Sequence, residues 1–175
     1  QAVNSSDEFG SVVAWLPGML GALLDSATYN DGSRPPRDAR GVYLFSEGDD
    51  HLYVGRTSVT ARARSGTTGS STSFRSRFDP HTPFGTDPGT APLANRLMRE
   101  RAQIEGIDVP SQWWKRRKGD AADVYRLFCE AKERIRGMEC RVSAFDDDAR
   151  GVRSSLAEIY THACLRTPYN DFSTS

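Results

Sequence analysis

The chain is poor in the residues that would announce a disulfide-built, zinc-bound or membrane-embedded protein. Only three cysteines, Cys129, Cys140 and Cys164, occur in 175 residues. Their count is odd and their spacings match no zinc pattern, so the expectation is three buried, reduced thiols. Histidine is equally scarce, at three. No apolar run approaches the roughly 20 residues that a membrane-spanning helix needs. Residues 1–10 are polar and lack the basic start of a secretory signal, which makes the reducing cytoplasm the expected compartment. A net charge is missing as well: 23 basic side chains balance 23 acidic ones.

That balance taken alone argues against a nucleic-acid partner, but the distribution reverses the inference. Residues 1–53 carry three basic and eight acidic side chains, a net of −5. Residues 54–118 carry twelve and five, a net of +7, and residues 119–175 carry eight and ten, a net of −2. The basic middle includes the run Lys115-Arg116-Arg117-Lys118 beside Trp113-Trp114. Concentrated basic charge is the footprint expected for phosphate contact. A Trp-Trp pair more often belongs to a core, and a charge run to a solvated face.

Periodicity outlines the elements. Helical spacing of Val13, Leu16, Leu20 and Leu24 predicts a helix within 12–29, interrupted at Pro17-Gly18. The segments 41–45 and 51–55 read as strands joined by the turn signal Glu47-Gly48-Asp49-Asp50. Residues 57–73 are rich in Ser, Thr, Gly and Arg and read as a loop, as does the Pro/Gly segment 81–89. Helices are expected at 90–105, with apolar Leu93, Leu97, Met98 and Ile104, and at 120–136, with Val124, Leu127, Phe128, Ala131 and Ile135. Asp120 is the expected N-cap of the second, and Gly137 its C-cap. Met138, Cys140, Val142 and Ala144 alternate as a third strand. A last helix, capped near 146–148, carries Val152, Leu156, Ile159, Tyr160 and Ala163. The expected fold is α+β: an antiparallel three-stranded sheet flanked by helices, with residues 1–40 as an N-terminal helical extension of a domain at 41–175.

Gly41-Val42-Tyr43 and Tyr53-Val54-Gly55 put two phenols on one hairpin, followed at once by Arg56. Either tyrosine alone suits ordinary packing on a sheet. Together, phenols beside guanidinium groups suit a phosphate-directed site, because arginine matches phosphate bidentately. Both phenols must share one face. A five-residue turn over 46–50, pairing 43 with 53, achieves this, whereas a tight turn at Gly48-Asp49 would pair 43 with 54 and separate them. The longer turn is therefore expected, with Gly48 at positive φ.

These motifs resemble the signature of the GIY-YIG nuclease superfamily. Further elements follow in order: Arg77 with His81 four positions on, Glu158 on the last helix, and Asn170 in Pro168-Tyr169-Asn170-Asp171-Phe172. The resemblance spans residues 41–172. It implies a metal-dependent endonuclease in which Tyr43 helps deprotonate the attacking water and Tyr53 supports it. A cation or metal near the phenol would favour its phenolate and make it a usable base. Arg77 would neutralise the pentavalent transition state, with Arg64 and Arg75 as rivals for that role. His81 would assist proton transfer or bind phosphate. Glu158 would ligate Mg²⁺ or Mn²⁺. Asn170 would hydrogen-bond the site or cap the chain end. Arg56, Arg64, Arg75, Lys115, Arg116, Arg117 and Lys118 would contact the substrate. The implied partner is double-stranded DNA, with a homodimer needed to cut both strands. A restriction or defence nuclease is the preferred role. The alternatives are the nuclease domain of an exported antibacterial toxin and a DNA-binding module that does not cut.

Overall fold

The central strand of the sheet is almost wholly apolar, as expected of a strand buried on both faces. The computed structural model describes residues 9–11, 13–30, 32–37, 39–57, 74–79, 91–116, 118–146 and 151–171. Arg64, His81, Arg117, most of the two expected loops and the expected cap at 147–148 lie outside them, as does the side chain of Lys118. In chain order the elements are α1 (Leu16–Leu24), β1 (Thr28–Tyr29), β2 (Gly41–Glu47), β3 (Asp50–Arg56), α2 (Phe74–Phe78), α3 (Pro92–Glu105), α4 (Ala122–Arg136), β4 (Glu139–Ala144) and α5 (Val152–Leu165). Two 3₁₀ turns, Trp113–Lys115 and Lys118–Ala121, lead into α4.

The α+β class holds, but the sheet has four strands, antiparallel throughout, in the order β1-β4-β2-β3. The added strand is the pair Thr28–Tyr29, which the sequence reading had placed at the end of the first helix. That helix stops at Leu24, and two residues are too few to show an alternation. Pro17 lies in the first turn of α1 rather than breaking it, because a first-turn proline gives up an N–H that has no intrahelical partner there. No described helix is long and apolar enough to cross a membrane.

Alternation along β2 divides the core in two. Tyr43 and Phe45 face α2, α3 and α4, joining Tyr53, Phe74, Phe78, Leu97, Trp113, Phe128 and Cys140. Val42 and Leu44 face the other way with Val54, against Leu16, Met19 and Leu23 of α1 and Ala157 of α5. The helix stripe Val124, Leu127, Phe128, Ala131 and Ile135 is buried as its spacing predicted. Ala121, not Asp120, is the N-cap of α4, since Asp120 is drawn into the preceding 3₁₀ turn.

The hairpin register differs from the expected one. The turn is the tight one at Gly48-Asp49, with Glu47 opposite Asp50 and Gly48 at φ 57°. A bulge then changes the register: Ser46 faces His51, but Phe45 faces Tyr53, leaving Leu52 as the extra residue. Tyr43 consequently lies opposite Gly55, not Tyr53 or Val54. The inserted residue returns Tyr53 to the face of Tyr43, so the shared face survives by a different route. Glu47, next to the turn, is held to α4 by a two-pronged ion pair with Arg134, at 2.7 and 2.8 Å.

Candidate active site

The two glycines of the tyrosine motifs are there because of what lies against them. Gly41 has φ 147°, and a side chain there would strike the Ser143 carbonyl oxygen across the sheet. Gly55 sits directly beneath the Tyr43 ring, and a Cβ at 55 would overlap its phenolic end. The second glycine thus leaves the room into which the first tyrosine's side chain folds. Tyr43 and Tyr53 are both nearly fully buried, with ring centroids 6.3 Å apart and planes inclined at 46°.

Burial dominates their chemistry. It raises the Tyr43 pKa well above the ordinary phenol value, with Tyr53 and Glu158 adding to the rise and Arg77 opposing it. Burial likewise lifts Tyr53 to about 12, helped by Glu158 and opposed by Arg96, by a hydrogen bond with Tyr43 and by Arg77. Desolvation outweighs the neighbouring arginines, so the side chains around the two phenols do not by themselves favour a phenolate.

Glu158 reaches this cluster from α5, which packs along β3. Arg56 donates from Nε to its Oε2 at 2.9 Å. Burial raises the Glu158 pKa, against the pull of Arg56 and Arg77. The helix is rotated relative to the apolar arc read from sequence. Ser154, Ala157 and Thr161 are its buried positions, while Val152 and Ile159 are exposed. This rotation puts Glu158 on the flank of the buried stripe. Small residues let α5 lie close to the sheet, and the apolar pattern did not reveal them.

Arg77, on α2, acts electrostatically on Tyr43, Tyr53 and Glu158 alike, and its buried Nε has no hydrogen-bond partner among the described residues. Its rival Arg75 donates to the Pro35 carbonyl at 3.3 Å and is tied to the preceding loop. Arg96 of α3 acts on Tyr53 from another side. Sequence reading missed it, because it is one of several arginines on a charged helix.

Asn170 is a clamp on β3. Its Oδ1 accepts the Val54 N–H at 2.8 Å and its Nδ2 donates to the Val54 carbonyl at 2.7 Å. β3 is an edge strand, and the amide supplies the pairing that a further strand would give. Thr167 Oγ1 donates to the same Asn170 oxygen at 2.7 Å, and His162 Nδ1 lies 2.9 Å from Thr167 Oγ1. Since the threonine proton goes to Asn170, Nδ1 of His162 is the donor to Thr167. The Tyr169 N–H meets the carbonyl of the bulged Leu52 at 3.1 Å. No role could be read from sequence for His162 or Thr167, because their contacts appear only once the chain end lies beside β3.

The remaining expectations separate. Trp113 is fully buried against Tyr125 and Phe128, so it belongs to the core, whereas Trp114 is partly exposed. Lys115 and Arg116 are exposed. Of the cysteines only Cys140 is buried; Cys129 and Cys164 are exposed, correcting the expectation of three buried thiols, because both fall off the inward stripes of their helices. No group of three or more His, Cys, Asp or Glu side chains able to hold a metal occurs among the described residues. A divalent ion here would draw one carboxylate from the protein and its other ligands from water and substrate oxygens, which is how Mg²⁺ is commonly held. Glu158 fits that part. Comparison of the chain with protein-family models, curated proteins and solved structures gives no match.

Proposed function

We propose that the chain is a metal-dependent endonuclease that hydrolyses DNA phosphodiester bonds, with Tyr43, Tyr53, Arg77 and Glu158 at its centre. The observation that carries this reading is the convergence of two buried phenols, an arginine with a buried unpartnered Nε and a single carboxylate, drawn from β2, β3, α2 and α5. The motif order of the GIY-YIG superfamily supports the same assignment. A restriction or defence role is the biological setting we favour.

The chain's own residues divide the work. The Tyr43 oxygen orients the attacking water. Because Tyr43 is a buried, neutral phenol, it accepts the water proton only as its own proton passes to the neighbouring Tyr53, whose ring centroid lies 6.3 Å away. Tyr53 in turn releases a proton to a phosphate oxygen or to solvent. Arg77 faces the charge that grows on the phosphoryl oxygens, in a buried setting where that attraction is strongest. Glu158 would hold Mg²⁺ or Mn²⁺, which when bound would stabilise the leaving oxygen as a Lewis acid. Arg56 restrains the carboxylate until substrate phosphate competes for the guanidinium.

The test is cleavage of supercoiled plasmid with and without Mg²⁺ by the parent protein, Glu158→Ala and Tyr43→Phe. The expected outcome is metal-dependent nicking or cutting, reduced at least about 100-fold in each variant, the scale of losing one acid–base or charge-stabilising group. A parent that binds DNA but cuts nothing with any divalent metal would replace the nuclease with a non-cleaving DNA-binding module.

A further inference from the structure

The arginines of α3 and α4 differ in how closely carboxylates hold them. Arg101, Arg126 and Arg134 hold carboxylates tightly: Glu105 at 2.6 Å from Arg101, Glu105 and Glu130 each at 2.8 Å from Arg126, and Glu47 at 2.7 and 2.8 Å from Arg134. Arg96 does not. Its contact with Asp171 is a single one at 3.6 Å, with the two side chains 37% and 50% exposed. Guanidinium groups match carboxylates through two short parallel bonds, so this pair is a weak, solvated one.

The position of Arg96 is nevertheless fixed. Leu93, Ala94, Leu97 and Met98 bury α3 in the same core as Tyr43 and Tyr53. Asp171 follows Asn170, whose amide grips Val54, the neighbour of Tyr53. The electrostatic reach of Arg96 to the Tyr53 phenol agrees with this placement. A partly exposed guanidinium thus stands on the Tyr53 side of the site, on a different element from Arg56 and Arg77, and loosely held by one exposed carboxylate.

We propose that Arg96 is a phosphate-positioning residue of this site, which leaves Asp171 to bind the DNA phosphate adjacent to the one under attack. The inference rests on the nuclease reading above and extends it from one phosphate to two. Arg96 then sets where the backbone lies relative to Tyr53, while Arg77 faces the reacting phosphate.

Binding of a short duplex is measured by fluorescence anisotropy in EDTA over a salt series, for the parent, Arg96→Ala, Arg96→Lys and Asp171→Asn, with thermal melts to verify folding. Arg96→Ala is expected to weaken binding about tenfold, the scale of one charge-assisted hydrogen bond. It should also flatten the slope of log K against log salt by about one. Arg96→Lys should keep the slope, and Asp171→Asn should bind as tightly as the parent or more so. A folded Arg96→Ala protein with unchanged affinity and slope, in a parent that binds and cuts, overturns the role of Arg96 alone. A parent that neither binds nor cuts overturns the nuclease reading and this inference together.

Discussion

At the scale of single residues, the centre is shaped by desolvation more than by charge pairing. Tyr53 shows this best. Its phenol is raised from 10.0 to about 12, chiefly by burial. An acid whose folded pKa lies above its unfolded one keeps its proton in the folded state over a window where the unfolded chain has lost it. Stability therefore falls as pH rises through that window, here from pH 10 to about 12. The loss attributable to Tyr53 at the top of the window is on the order of 2–3 kcal/mol. Tyr53→Phe removes the titrating group and keeps the ring. Urea unfolding at pH 9 and at pH 11 should show a smaller drop in stability for Tyr53→Phe than for the parent. Equal drops would mean that the phenol is not desolvated as its burial indicates.

At the scale of elements, the edge of β3 is where the site is won or lost. Asn170 supplies both partners of the Val54 backbone, and Tyr169 satisfies the bulged Leu52. The strand therefore holds its register through the C-terminal segment, 116 residues from Val54. Asn170→Ala should lower stability by about 2–3 kcal/mol, the scale of two hydrogen bonds with a partly buried acceptor left over. Asn170→Asp keeps an acceptor for the N–H but sets a carboxylate against the Val54 carbonyl, so it should not rescue the loss. Thermal melts of both variants check this, and an unchanged melting temperature for Asn170→Ala would sink it. The same edge shows where the sequence was legible. The hairpin, the stripe of α4 and the two tyrosine motifs could all be read, because each is a local pattern. The bulge at Leu52 could not, since periodicity carries no mark of one extra residue. Neither could the rotation of α5, whose inward face of Ser154, Ala157 and Thr161 is chosen by close approach rather than by hydropathy. Arg96 and the pairing of Arg56 with Glu158 depend on contacts between distant parts of the chain.

At the scale of the whole molecule, the sheet divides the core in two, and the proposed centre draws on elements from both sides. Arg56, Arg77 and Arg96 all come from the basic stretch 54–118, so part of its charge gathers at the proposed centre: Arg77 and Arg96 act on Tyr53, and Arg56 and Arg77 act on Glu158. The phenols themselves lie on the face packed by α2, α3 and α4. The opposite face is covered by α1 and α5 through Leu16, Met19, Leu23 and Ala157. The first helix, expected as part of an extension, thus closes one of the two cores. Leu23, fully buried there, gives a clean measure of this support. Leu23→Ala should cost roughly 2–5 kcal/mol, as large-to-small changes in closed cores do. On the proposed function, DNA cleavage per folded molecule should stay near the parent rate at low temperature, because Leu23 lies in the core on the opposite face of the sheet from the two phenols. The stability arm is read by urea unfolding and the activity arm by plasmid cleavage well below the melting temperature. A near-neutral change in stability would show that α1 adds little to the fold. A full loss of stability would still leave cleavage to be measured in the milder Leu23→Val, which removes one methylene and should cost only about 1 kcal/mol.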